Sequence, residues 1–351
     1  MIYNIKHKLG IGSVNLGNHF VRYTVSKKND LLKIFQIFED MPLNITKNLN
    51  LLDFKNAYYL CHNRREIISN VIEEILKIKN TMNRKRSCFE QPKEYQIIIS
   101  AYWLLDFIES EGYFCINNKT GLDFGLGQSK IEYLVLESIK NFLFRLLGIY
   151  YMRRSNSKFV RLFTDMKAKN IRSQPLTKLS INDFNYIKLV LVPFLDKLTW
   201  FSKKELDYKD WKIVLEIIHQ GKQFSKEGQE LIFYINKRMN TIRLSINLPF
   251  VPIKDIEMRI NNLLNAPSNY KLSENGKVFI ISEGRFLRER GNIEIELYTE
   301  DKILVKLFKS IKDSAKYFNT SERTINRRLD SRDLFVYEGQ KFFIKRVNKL
   351  P

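Results

Sequence analysis

A chain of 351 residues is long enough for two or three domains with cores of their own, and its 44% hydrophobic content supports them. Fifty-nine Lys and Arg against 38 Asp and Glu leave a formal charge of +21, a field that attracts polyanions, disfavours acidic partners and makes nucleic acid the expected partner. Cys61, Cys88 and Cys115 show no paired spacing and no CxxC, and no apolar stretch reaches membrane-span length, so neither disulfides, nor a cysteine zinc site, nor a membrane partner is expected. The start of the chain lacks the charged-then-apolar pattern of a signal peptide. Heavy use of Ile, Asn, Lys, Phe and Tyr, whose codons are A/T-rich, points to a gene of the organellar kind.

From Met1 the chain reads as starting inside a repeat. Leu9-Gly10-Ile11 and Phe20-Val21-Arg22 return as Leu147-Gly148-Ile149 and Phe159-Val160-Arg161. Thr46-Lys47 before Leu52-Asp53-Phe54-Lys55 returns as Ser202-Lys203 before Leu206-Asp207-Tyr208-Lys209, and the run from Ile78 to Asn83 returns from Ile235 to Asn240. Four ordered matches indicate a tandem duplication. The expected organisation is a first copy over residues 1–83, a linker over 84–95 carrying Pro92, a second copy over 96–248 and a C-terminal domain over 249–351. The second copy has about fifty residues before its Leu-Gly-Ile and the first has only eight, so the front of the first copy is expected to lie upstream of Met1.

Those fifty residues begin with an apolar run from Ile97 whose helical period continues through Leu104, Phe107 and Ile108 and stops at Gly112. Glu109 and Glu111 fall at the helix C-terminus, where carbonyl dipoles disfavour negative charge unless a cation binds. Residues 112–116 then alternate like a strand, 117–121 carry turn residues, and 122–128 return as a second strand. A helix is expected over 130–147, short strands over 159–164 and 174–179, a helix capped by Ser180-Ile181-Asn182-Asp183 and running to about Asp196, and helices over 206–220 and 226–239. This order of helix, hairpin, helix, strands and helix is α+β. A strand-like run over 242–248 leads into the C-terminal part.

There the charge shifts. Residues 250–308 hold nine basic and nine acidic side chains, whereas 309–349 hold eleven and five, so the positive charge concentrates at the end of the chain. Ser310 caps a helix with Ile311, Ala315 and Phe318 inward, Asn319-Thr320 turns, and Ser321 caps a second helix with Ile325 and Leu329 inward. This helix-turn-helix spacing presents Arg323, Asn326, Arg327 and Arg328 as candidate DNA contacts. Residues 334–345 fold back as a hairpin through Glu338-Gly339.

The nonapeptide from Leu104 to Gly112, with the hairpin, the repeat and the closing Met-Asn helices, resembles the LAGLIDADG homing endonucleases of fungal mitochondrial introns, over roughly residues 1–248. Leu104, Ile108 and Gly112 match the motif, and Glu109, Ser110 and Glu111 replace its residues conservatively. The tail resembles a nuclease-associated modular domain of helix-turn-helix type. The resemblance implies a pseudo-twofold repeat of curved antiparallel sheets with packed helices, a double-stranded DNA target, and a site-specific, metal-dependent double-strand cut. It further implies Mg2+ or Mn2+ as cofactor, with Glu111 as metal ligand, Glu109 as a capping acid, and Gln128 at the edge of the active site. Lys203 or Lys204, with Lys47 as the first-copy counterpart, is the implied basic catalytic residue. On the hairpin, Tyr113, Cys115, Asn117 and Lys119 are the implied DNA-facing set. Asp106 stands where the motif has a small residue, and is expected to be a charge between packed helices.

The same resemblance leaves a maturase, which binds its own intron RNA and aids splicing, and an inactive DNA-binding remnant as alternatives. Mitochondrial location and self-association through the helix over 97–112 belong to the same expectation. Other nuclease and nucleotide-binding signals fail. Gly148-Ile149-Tyr150 has no Tyr-Ile-Gly partner, His7, His19, His62 and His219 are scattered, and Gly125-Leu126-Gly127 lacks the third glycine of a dinucleotide fingerprint.

Overall fold

The apolar period after Ser100 forms the expected helix in the computed structural model, which describes residues 2–18, 20–62, 69–117, 121–146, 159–166, 175–240, 243, 255–274, 276–287, 293–331 and 333–347. The chain divides into two units, Met1–Cys115 with Asp123–Tyr208, and Ile116–Leu122 with Lys209–Pro351.

In chain order the first unit opens with α1 (Ile2–Leu9), β1 (Ser13–Leu16) and β2 (Val21–Thr24), an antiparallel pair, followed by α2 (Lys28–Asp40), α3 (Lys47–His62) and α4 (Ser69–Thr81). Next comes α5 (Ala101–Glu111), whose start is capped by the Ser100 hydroxyl accepting from the Trp103 amide at 3.2 Å. Leu104, Leu105 and Ile108 form its buried stripe. Gly112 ends the helix, but in extended conformation (φ −75°, ψ 151°) and not in the left-handed turn usual for a stopping glycine. The reason is close approach, because a Cβ here would stand 2.5 Å from the Ile108 carbonyl oxygen as the chain passes directly into a strand.

That strand is β3 (Gly112–Asn117). With β4 (Gly121–Ser129), β5 (Val160–Asp165) and β6 (Leu176–Ile181) it makes a four-stranded sheet in the order β3-β4-β6-β5. Alternation buries Phe114, Phe124, Leu126, Val160, Leu179 and Ile181 on one face. The Phe114 ring meets Phe124, Trp200 and Tyr208 there, at 5.4, 6.3 and 5.6 Å between centroids. Between β4 and β5 runs α6 (Tyr133–Arg145), which begins after a 3-10 turn and buries Val135, Leu136, Ile139 and Leu143.

After β6 the Asp183 carboxylate caps the next helix through the Tyr186 amide at 2.8 Å, as its position implied. This helix, α7 over 184–195, contains a π segment at Ile187–Leu191. Pro193 accounts for it, since proline has no N–H for the carbonyl four residues back and its ring needs the preceding turn widened.

The chain continues with α8 (Lys204–His219), α9 (Lys226–Lys237) and α10 (Ile256–Asn265). Both copies keep one register across their helices. Lys204 corresponds to Lys47 and Lys226 to Ser69, so α8 follows α3 and α9 follows α4 at a constant offset of 157. Asn83 and Asn240 share left-handed φ values of 56° and 58° at the same offset. So do two ion pairs, Arg86 with Asp53 and Arg243 with Asp210.

This corrects two expected matches. Lys47 corresponds to Lys204, and not to Lys203. Asp53-Phe54-Lys55 corresponds to Asp210-Trp211-Lys212, and not to Asp207-Tyr208-Lys209. A three-residue slip nearly completes a helical turn and keeps side chains on one face, so periodicity alone conceals it. Residues 84–95, expected as a linker, are held down by Arg86 and by the Tyr95 hydroxyl, which donates to Leu43 O at 2.9 Å.

In the second unit the buried Lys222 ammonium donates to the carbonyls of Leu263, Leu264 and Ala266 at the end of α10, satisfying oxygens that the helix leaves free. A three-stranded sheet follows, β7 (Tyr270–Leu272), β8 (Val278–Ile280) and β9 (Arg285–Phe286). The last sheet has the order β11-β10-β13-β12, from β10 (Ile295–Thr299), β11 (Leu304–Phe308), β12 (Phe335–Tyr337) and β13 (Gln340–Arg346). Packed with it are α11 (Ile311–Tyr317) and α12 (Glu322–Ser331), through Ala315, Phe318, Ile325 and Leu329. Ser310 and Ser321 cap the two helices as expected, accepting from Asp313 and Thr324 at 3.0 and 3.2 Å. Glu338 and Gly339 turn the final hairpin at φ 48° and 77°.

The expected strand over 242–248, Leu147-Gly148-Ile149 and Gln174 lie outside the described residues. Among the described residues no helix is long and apolar enough to cross a membrane.

Asp210 is buried and paired with both Arg238 and Arg243, whereas Asp53 is more exposed and paired with Arg86. D210A, which strands two guanidiniums, should destabilise its unit by about 3–5 kcal/mol in urea melts, and D53A by a smaller roughly 1–2 kcal/mol. Equal losses would show that burial does not set the strength of these pairs.

Candidate nucleic-acid interface and acidic helix end

The two acids at the end of α5 have different surroundings. The Glu109 Oε1 accepts from the backbone N–H groups of Phe201 and Ser202 at 2.9 and 2.6 Å, which fastens the segment before α8 to α5. Ser202 in turn accepts from the Lys204 amide at 3.2 Å. Lys203 is exposed and Lys204 half-buried, directly after the anchored amide. Glu111 is exposed and has no hydrogen bond or ion pair with a described residue. One acid is thus engaged in holding a loop, and the other keeps its acceptor capacity.

Lys47 also reaches this helix. Asp106, expected between packed helices, is exposed. Desolvation and then the charge of Glu109 raise its pKa, and Lys47 partly offsets them. The Thr46 amide beside Lys47 donates to Glu132 Oε1 at 2.9 Å, an acid cap of the same kind as that of Glu109 before α8. Asn44 is buried and pairs through its amide with both the carbonyl and the N–H of Ile98, the latter at 2.8 Å, so the approach to α5 is tied to the approach to α3.

On the sheet, Tyr113, Cys115 and Asn117 point away from the Phe114 side, Cys115 half-buried and Asn117 exposed. Lys119 lies outside the described residues. Tyr113 lies across Gly125, where any Cβ would collide with its hydroxyl. It donates to Asp123 Oδ2 at a long 3.4 Å, while Ser180 donates to Asp123 Oδ1 at 2.7 Å. Burial and then the negative charge of Asp123 push the Tyr113 phenol up to about 12. Gln128 stands opposite Thr177 with the parity of Phe124 and Leu126, on the core side at the end of the sheet.

The same outer face carries Arg161, opposite Ser180, and Lys178, opposite Gly127 and Phe163. Neither was among the candidates, although period-2 alternation counted from the buried Val160 and Leu179 would have placed both outward.

In the C-terminal unit Arg323 and Arg327 are exposed and line a cleft of about 710 Å³ with Ser321, Thr324, Asp330 and Ser331. Their spacing of one helical turn puts them on one face. Arg328 turns elsewhere, its guanidinium 4.0 Å from the Phe335 ring centroid, with burial and the charge of Arg327 lowering its pKa. Asn326 donates to the Glu322 carbonyl at 3.0 Å. Asp330 accepts from Arg346 and Lys277 at 2.8 Å each, fixing α12 to its surroundings.

The sequence pattern of the LAGLIDADG endonuclease matches residues 1–58 and 104–215 of this chain. Its relatives include the uncharacterized mitochondrial protein RF1 of Saccharomyces cerevisiae, 24% identical over 90% of this chain and 66% of that protein. Another is the probable intron-encoded endonuclease 3 of Neurospora crassa, 26% identical over 65% of this chain and 44% of that one. The chain therefore spans between under half and about two thirds of the length of these relatives. The fold is that of the I-SmaMI LAGLIDADG homing endonuclease bound to cleaved DNA, with a TM-score of 0.55 and 21% identity over 69% of this chain and 82% of that one.

The Tyr113 geometry has a titration consequence. A phenol raised to about 12 in the fold and near 10 when unfolded contributes stability that is fully present below about pH 10 and lost as pH rises through about 12. In alkaline absorbance titrations the difference between parent and Y113F should show one phenol ionising near 12. A difference curve centred near 10 would separate Tyr113 from Asp123.

Proposed function

We propose that this protein is an intron-encoded homing endonuclease that binds double-stranded DNA and hydrolyses a phosphodiester at the end of α5. The observation that carries the reading is the division of labour between Glu109 and Glu111. The former is committed to the backbone of Phe201 and Ser202, and the latter, two residues on, leaves its carboxylate oxygens available.

A lone exposed carboxylate is a hard oxygen donor that suits Mg2+ or Mn2+. Among the described residues no three His, Cys, Asp or Glu side chains gather into a metal cluster, so in this reading Glu111 is one ligand and phosphate oxygens and water complete the set. When bound, a divalent cation supplies neutralisation of phosphate charge and a more acidic water. Lys203, Lys204 and Lys47 place positive charge near the helix end, where it stabilises a phosphorane-like dianion or orients water. Glu109 acts through Phe201 and Ser202 by holding the lysine-bearing segment, and Gln128 borders the site from the sheet.

In the same reading residues 1–83 and 96–248 are the two repeats, joined by residues 84–95. The outer sheet face with Tyr113, Cys115, Asn117 and Lys119 lies in the DNA groove, and residues 249–351 add affinity through α12. Arg323 and Arg327 are its phosphate contacts, while Arg328 and Asn326, both engaged within the fold, shape the helix. The location is the mitochondrion, in line with the relative from Saccharomyces cerevisiae that is named as a mitochondrial protein.

E111Q keeps side-chain size and removes charge, so the variant should bind the target as the parent does and lose Mg2+-dependent scission of the strand served by α5, by roughly 100-fold or more. A parent that cuts no DNA with Mg2+ or Mn2+, yet promotes splicing of its intron RNA that E111Q also promotes, would transfer the reading to a maturase. For the tail, R323A/R327A should reduce the slope of log affinity against log salt by roughly 2, because each phosphate contact contributes about 0.9. An unchanged slope would remove α12 from the DNA surface.

A further inference from the structure

We infer that Asp123 is a base-reading residue that selects a cytosine in the major groove, an assignment that rests on the DNA reading of the outer sheet face. The carboxylate belongs to the face opposite the core. Ser180, itself nearly buried, donates to one of its oxygens at 2.7 Å and fixes its orientation. Tyr113 donates to the other at only 3.4 Å. Among the described residues the two carboxylate oxygens, with about four acceptor positions, are therefore met by one good donor and one weak one, which leaves acceptor capacity on the outer side. Gly125, two residues along the same face, lies under the Tyr113 ring, and Gly127, four residues along, has no side chain, so that a Cβ added there would meet only Leu176 at 3.9 Å.

A negative charge on a surface that meets phosphates weakens binding to DNA in general. It is favourable only where a hydrogen-bond donor of a base stands directly opposite it. Two base edges offer such a donor in the major groove, the N4 amine of cytosine and the N6 amine of adenine. Adenine sets its N7 acceptor beside the amine, against the second carboxylate oxygen. Cytosine has no acceptor of its own there, so it fits a carboxylate better, whereas an amide matches the adjacent donor and acceptor of adenine. Guanine and thymine present acceptors and are rejected.

The test is selection of bound duplexes from a randomised double-stranded DNA pool by the full chain, as parent, D123N and S180A, each first checked for a parental melting profile. The parent should enrich a motif with one position fixed as cytosine. D123N should change that position alone to adenine, with roughly tenfold altered preference, the size of a single base-pair mismatch. S180A, which keeps the carboxylate and removes the hydroxyl that orients it, should lower discrimination at that position and no other. If D123N retains every position of the parental motif, or loses preference equally at all of them, Asp123 serves only to hold Tyr113 and Ser180, and the assignment is overturned. A parent that enriches no motif overturns the DNA reading of the whole face, and this assignment with it, a result distinct from a motif that D123N leaves intact.

Discussion

The contact on which the candidate site depends is the capture of two backbone amides by one carboxylate. Glu109 sits where a helix end is electrically negative, an unfavourable place for an acid. It is compensated by the N–H groups of Phe201 and Ser202. Those amides precede α8, whose N-terminus is electrically positive and needs acceptors. The negative end of one helix and the positive end of another are thus joined through a single side chain. The join brings the Lys203–Lys204 segment to the turn that carries Glu111 without using Glu111 itself.

Gly112 is the second constraint on that arrangement. The strand leaves the helix with no intervening loop, so the position of β3 and of everything hydrogen-bonded to it follows from α5. The close approach to Ile108 O makes the junction stiff. A site residue on the helix and the first strand of the candidate DNA-facing sheet therefore share one short piece of backbone. The Asn44–Ile98 and Thr46–Glu132 bonds do similar work at the other end, linking α3 to the approach of α5 and to the start of α6.

What could be read from the sequence was mostly local. The apolar period of α5, the capping positions Asp183, Ser310 and Ser321, and the Glu338-Gly339 turn depend on residues within a few positions of one another. The caps and the turn formed as expected, and the helix formed but begins at Ala101 and not at Ile97. The family resemblance added the roles of Glu109 and Glu111, which no spacing alone separates. The rest was hidden by distance along the chain. Asp123 and Ser180 meet only because β4 pairs with β6, which the sequence does not specify. Lys222 resembles any surface lysine until α10 supplies three carbonyls. The match of Asp53 was missed by three residues because a slip of nearly one turn leaves the hydrophobic face unchanged, and the helix starts and the arginine partners of Asp53 and Asp210 fix the phase.

That register has a geometric meaning. Between the first strands of the two copies that correspond, Val21 and Val160, the spacing is 139 residues, whereas between their closing helices it is 157, so the second copy is eighteen residues longer in the stretch that carries β5, β6 and α7. The helices keep their lengths and their ion pairs while the strand-bearing stretch has grown. The added eighteen residues therefore lie between Val160 and α8 and have no counterpart between Val21 and α3.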